Sequence, residues 1–132
     1  MSGGEFRFAY FTSRYEETVS FYTEGLGLPL VHSWDRGADD RGTLIAAASG
    51  LIEILALPPS GHAEHLFDER VPQGAFMVIE FHDLTTLCQR AHSNGLAIQQ
   101  DLGRQSWGHE SFCVREPNGL TLYFFKKRVA AA

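Results

Sequence analysis

Glu53 stands in the apolar run Leu51-Ile52-Glu53-Ile54-Leu55, where burying an unpaired carboxylate is costly, so it calls for a cationic or hydrogen-bonding partner. Trp107-Gly108-His109-Glu110 gathers an indole face with one N–H donor, an imidazole and a carboxylate into four consecutive residues. Such a group suits stacking on a heteroaromatic or cationic ligand, and His109, like His32, has the chemistry of an acid or base. His62-x-x-His65 with Glu64 has the spacing of metal ligands on a helix. It lies in a polar stretch behind Pro58-Pro59 and lacks a third credible neighbour, so it reads as solvated. Cys88 and Cys113 form no C-x-x-C pair and read as two buried, reduced thiols without a catalytic role. Asp39-Asp40 reads as a turn, or as part of an acidic groove. No phosphate-cradling glycine loop and no G-x-S-x-G nucleophile elbow occurs.

The elements that position these groups follow from punctuation and periodicity. The chain has 132 residues, 44% of them hydrophobic, which argues for one domain (1–132) with a real core rather than two independently folding halves. A net charge of −5 disfavours nucleic acid and anionic lipid surfaces as partners. The start, Met1-Ser2-Gly3-Gly4-Glu5, lacks the basic and apolar regions of a secretion signal, and no run is long enough to span a bilayer. The expected location is cytoplasmic, with no membrane partner.

Phe6 to Thr12 predicts a strand, and Glu16 to Tyr22 a helix that stops at Gly25-Leu26-Gly27 before Pro29. Strands are expected at Leu30–Trp34, Thr43–Ala48 and Leu51–Leu57. A polar linker over 58–73 precedes a repeat of the same order: a strand at Ala75–Phe81, a helix from Leu84 to about His92 capped by Asp83 and closed by Asn94-Gly95, then strands at Ala97–Gln100, Ser111–Val114 and Leu120–Phe125. His82 and His92 fall at the ends of that helix. Gly27 pairs with Gly95, and Gly50 with Gly119, at nearly the same offset, so the chain reads as a βαβββ unit used twice, module 5–57 and module 74–127. The loops 35–42 and 99–110 are expected to shape any pocket.

Glu16-x-Thr18-x-x-Phe21-Tyr22-x-x-x-Leu26-Gly27, Ile52-Glu53-Ile54, Phe81-x-Asp83-Leu84 and Arg115-Glu116-Pro117-Asn118-Gly119, in that order, resemble the vicinal-oxygen-chelate superfamily of glyoxalases, bleomycin resistance proteins and extradiol dioxygenases. The resemblance spans about Phe6 to Lys126 and implies an α+β fold of two tandem βαβββ modules, whose curved, mostly antiparallel sheets enclose a ligand cavity that a homodimer usually completes. In metal-dependent members it implies ligands on the first and last strands of each module. Those places hold Arg7, Glu53, Phe76 and Tyr123, of which only Glu53 is a competent ligand for a divalent ion. No metal and no cofactor is therefore expected at this site. The implied neighbourhood of first and last strands makes Arg7 the natural partner of Glu53, either as a polar anchor for ligand or as a purely structural pair.

Trp107-Gly108-His109-Glu110-Ser111-Phe112 followed by Arg115-Glu116-Pro117-Asn118-Gly119 is most similar to the bleomycin-resistance-like members, with Glu116 in place of Asp and Ser111 as an extra residue. Trp107 either meets ligand or packs over the sheet end. Trp34 either faces Trp107 across a dimer groove or packs in an interface. The expected function is metal-independent binding of an aromatic or cationic small molecule, with Arg7, His32, Trp34, Glu53, Phe76, Trp107, His109, Glu110 and Tyr123 as ligand-binding residues. The alternative is an enzyme of the superfamily, a lyase, isomerase or dioxygenase, with a shifted metal site or metal-free acid–base chemistry through His32, Glu53 and His109. A third reading is an interaction module whose cavity is plugged by Phe76 and Tyr123.

Overall fold

A computed structural model describes residues 4–59 and 74–128; most of the linker, with His62, Glu64 and His65, lies outside them. The chain divides into two compact units, Met1–Val71 and Pro72–Ala132. No helix among the described residues is long and apolar enough to cross a membrane.

In the first unit, strand β1 (Arg7–Thr12) leads into helix α1 (Tyr15–Ser20), and strands β2 (Leu30–Asp35), β3 (Arg41–Ala47) and β4 (Gly50–Ala56) follow. The sheet order is β1-β4-β3-β2, with β1 parallel to β4 and the other pairs antiparallel. The expected helix over Glu16–Tyr22 is α-helical only to Ser20, and Phe21–Gly25 forms a π-helical turn. That wider turn carries the Leu26 N–H to the Phe21 carbonyl and buries Phe21, Tyr22 and Leu26 together. Gly27, at φ +74°, then reverses the chain as a helix-ending glycine can.

The second unit repeats the plan. Strand β5 (Phe76–Glu80) and helix α2 (Leu84–Ser93) precede β6 (Ala97–Arg104), β7 (His109–Arg115) and β8 (Thr121–Lys127). The order is β5-β8-β7-β6, again with a single parallel pair, β5 with β8. This is the α+β fold of two βαβββ modules, each with an open four-stranded sheet. Leu84, Leu87, Cys88 and Ala91 form the buried face of α2, and Phe112, Val114, Leu122 and Phe124 are buried in the strands of the same unit.

Three local expectations change. The Asp83 side chain makes no capping hydrogen bond, and its carbonyl instead accepts the Leu87 N–H. The supposed loop over 99–110 is mostly strand: β6 runs on to Arg104 through two register shifts and a tight turn leads into His109, because irregular pairing lets a polar, glycine-containing strand continue. Cys88 is buried, but Cys113 is only half-buried.

Candidate functional site

Alternation along paired strands decides which side chains share a face. In the first unit, the Tyr10 hydroxyl bonds to that of Tyr22 at 2.9 Å, and Thr43 to Tyr15 of α1, so Tyr10 and Thr43 lie on the helix side of the sheet. Their neighbours in sequence therefore point the other way. With the register Ala9↔Glu53↔Leu44↔His32, and Trp34 opposite Gly42, the side chains of Arg7, Glu53, His32 and Trp34 all fall on the face away from the helix.

On that face Arg7 Nη1 donates to Glu53 Oε1 at 3.3 Å, and its Nε donates to Glu5. The two carboxylates hold the guanidinium pKa above its ordinary value, the Glu5 contact first and the Glu53 contact second. His32 stacks on Trp34 with ring centroids 5.9 Å apart. The Trp34 indole N–H donates to Asp40 Oδ1 at 2.9 Å, and Arg36 packs its guanidinium over the indole at 5.7 Å. Asp40 is thus a clamp on Trp34 and Arg36, and the Arg36 hydrogen bond chiefly holds its pKa below the ordinary carboxylate value.

In the second unit, Phe76, Tyr123 and His109 lie on the face away from α2. Trp107 Nε1 donates to the Tyr123 hydroxyl at 3.0 Å and to His109 Nδ1 at 3.2 Å, while His109 Nδ1 and the Tyr123 hydroxyl are 3.1 Å apart. The one indole N–H is shared between the tyrosine oxygen and Nδ1, and which of the hydroxyl and Nδ1 donates to the other follows the imidazole tautomer. His109 is stacked on Phe125 at 4.2 Å, and Phe76 meets the edge of Tyr123 at 6.4 Å. Trp107 nevertheless remains 62% exposed and Phe76 54%. The indole is pinned by its N–H while its ring is left uncovered.

Glu110 belongs elsewhere. Paired with Lys126 across β7 and β8, it lies on the helix side of the sheet, opposite to His109, with Lys126 Nζ 3.5 Å from its carboxylate. Its adjacency to His109 in sequence separates the two in space, because a strand alternates its faces.

Sequence reasoning missed a cleft of about 470 Å³ on the helix side of the first sheet, lined by Tyr15, Glu16, Ser33, Asp35, Arg41 and Thr43 among others. The Arg41 guanidinium lies over the Tyr15 ring at 4.6 Å. The alternation of Ser33, Asp35, Arg41 and Thr43 on two neighbouring strands was its only signal. Glu116, which stood in the sequence as part of a motif, is 2% exposed and caps its own turn, accepting from the backbone N–H groups of Asn118 at 2.6 Å and Leu120 at 2.8 Å.

A model of the Glyoxalase/Bleomycin resistance protein/Dioxygenase superfamily matches residues 6–124. The chain belongs to that superfamily. Among solved structures, a glyoxalase/bleomycin resistance protein/dioxygenase from Alicyclobacillus acidocaldarius is 21% identical, with 95% of this chain and 92% of that chain covered and a TM-score of 0.68. TioX from Micromonospora sp. ML1 is 15% identical, covering 95% and 99% with a TM-score of 0.72. TnmS3, an antibiotic binding protein from Streptomyces sp. CB03234, is 18% identical, covering 96% and 97% with a TM-score of 0.69. At these identities the likeness is one of fold. No curated protein matches the sequence.

The residues at the places where the resemblance implies metal ligands do not fit a divalent ion. In the first unit the Glu53 carboxylate is engaged by a guanidinium, which has no lone pair to offer. In the second, Phe76 has no donor atom, and the Tyr123 hydroxyl is committed to Trp107 and His109.

Proposed function

We propose that this superfamily member binds a planar aromatic or cationic small molecule, with binding itself as its function and no metal at the superfamily's usual position. The observation that carries the reading is Trp107: two hydrogen-bond acceptors fix its indole N–H, yet most of the ring is exposed. An exposed aromatic held in one orientation is a stacking plate whose ordering cost is met before ligand arrives. Phe76 and Tyr123 extend the aromatic surface, and His109 offers a hydrogen-bonding edge. On the other unit, Arg7, Glu53, His32 and Trp34 give a second face of mixed polar and aromatic character. The net charge of −5 favours a cationic ligand. The similar fold of TnmS3, an antibiotic binding protein, supports antibiotics as a class of small molecule to test. A second copy of the chain completes the cavity in this reading, and Glu110 serves the sheet rather than the ligand.

The test is a calorimetric titration with bleomycin, with ethidium as a planar cation and with an uncharged planar aromatic, repeated on Trp107→Phe and Trp107→Ala. Saturable binding of at least one probe, weakened most in Trp107→Ala and less in Trp107→Phe, which keeps a ring but loses the pinned N–H, supports the proposal. Binding that is indifferent to both substitutions overturns the assignment of Trp107.

A further inference from the structure

Cys88 and His92 stand one turn apart on α2, so their side chains emerge on the same side of the helix. Alone they would be a buried thiol and an exposed imidazole. Asp101 joins them because β6 slips its pairing between Gln100 and Gly103, so that one extra residue is accommodated at Asp101-Leu102. A bulge of this kind re-aims a side chain. The turned Asp101 carboxylate accepts the backbone N–H of Leu102 at 2.8 Å, which fixes its direction. Its Oδ1 is then 2.9 Å from His92 Nε2 and 3.7 Å from Cys88 Sγ, and all three donor atoms lie within 4.8 Å of one another.

We propose that Cys88, His92 and Asp101 form a zinc-binding site, separate from the superfamily's usual metal position and on the helix side of the second sheet. Thiolate, imidazole and carboxylate are the three side-chain donors zinc takes, and this mixed set suits a borderline-soft ion better than magnesium or calcium. Bonds of about 2.0–2.3 Å to a tetrahedral ion separate neighbouring donors by roughly 3.3–3.8 Å. The cysteine–aspartate distance already fits that range, and the histidine–aspartate pair opens by less than an ångström. A thiolate and a carboxylate neutralise the dication, so the buried side of the site carries no net charge. Burial is graded across the cluster: Cys88 is 4% exposed, whereas His92 and Asp101 face solvent. Zinc would sit at the rim of the helix–sheet seam with three protein ligands and its fourth position turned to water, the pattern of an open rather than a closed site.

The experiment is titration of the reduced, full-length protein with cobalt(II), the coloured stand-in for zinc. The expected result is a thiolate-to-cobalt charge-transfer band that saturates at one ion per chain and is bleached by zinc. Cys88→Ser should abolish that band, His92→Gln and Asp101→Asn should each weaken cobalt binding about ten-fold or more, and Cys113→Ser should leave it unchanged. His92 and Asp101 are exposed, so those two variants keep the test decisive even where Cys88→Ser folds poorly. Absence of the band in the unaltered protein, or its persistence in both His92→Gln and Asp101→Asn, overturns the proposal.

Discussion

Trp34 lies across Gly42 of the neighbouring strand, so closely that a β-carbon at position 42 would overlap its ring atom Cζ2. No side chain larger than hydrogen lets the indole occupy that place. Gly42 is thereby the seat of the His32–Trp34–Arg36 stack, and the Asp40 carboxylate holds the seat from the other end.

Gly42→Ala should expel the Trp34 ring while leaving the fold intact, because the displaced atoms are the far end of one side chain. In a Trp107→Phe background, where Trp34 is the remaining tryptophan, its emission should shift to the red. Chemical denaturation should show a stability loss of about 1–3 kcal/mol. An unchanged emission maximum would mean that the indole does not rest on Gly42.

The clamp should respond to acid. The Arg36 hydrogen bond, with the Trp34 indole N–H, keeps the Asp40 pKa below its ordinary value of about 3.9. A carboxylate depressed in the folded state contributes stability that is fully present above its unfolded pKa and disappears as pH falls through its folded pKa. In the same Trp107→Phe background, Trp34 emission should be constant from pH 7 to about pH 5 and change on further acidification. Asp40→Asn should remove that step.

Trp107→Ala should change stability by no more than about 0.5 kcal/mol, as expected of an exposed side chain. The same substitution should weaken binding of whichever aromatic probe the protein takes by about ten-fold, equivalent to 1.4 kcal/mol. Tyr123→Phe keeps the ring but removes the hydroxyl that orients the indole, and its effect on binding should be smaller. Melting curves and calorimetric titrations on the same samples separate the two effects.

Glu116→Ala should be the most destabilising of these changes, at roughly 2–4 kcal/mol, because it removes the acceptor of the buried Leu120 N–H and of the half-buried Asn118 N–H. Glu116→Gln retains a carbonyl oxygen and should recover part of the loss. Urea midpoints of the three proteins check the order. Ligand affinity, measured under conditions where all are folded, should be unchanged.

Sedimentation velocity tests the homodimer in the proposed function. Twice the chain mass at micromolar concentration is expected, and a monomer under those conditions would remove the second copy from the proposed cavity.

Much of the fold was legible because its signals are local. The helix-ending Gly27 and Gly95, the apolar runs and the turn at Arg115–Gly119 mark the elements and their repetition, and the strand period of two places His32 and Trp34 on one face; His109 and Glu110, expected together in the 99–110 loop, are parted because β7 begins at His109 and alternates its faces. The Arg7–Glu53 pair was legible only through the resemblance, which set β1 beside β4. What the sequence could not specify was lateral register and its irregularities. The contact of Trp107 with Tyr123, the seat of Trp34 on Gly42 and the bulge that carries Asp101 to Cys88 and His92 each depend on how one strand slides against its neighbour. Propensity and alternation act along the chain and fix elements and faces, whereas register is settled across it, by which pairing buries the apolar face and satisfies the most backbone hydrogen bonds at once.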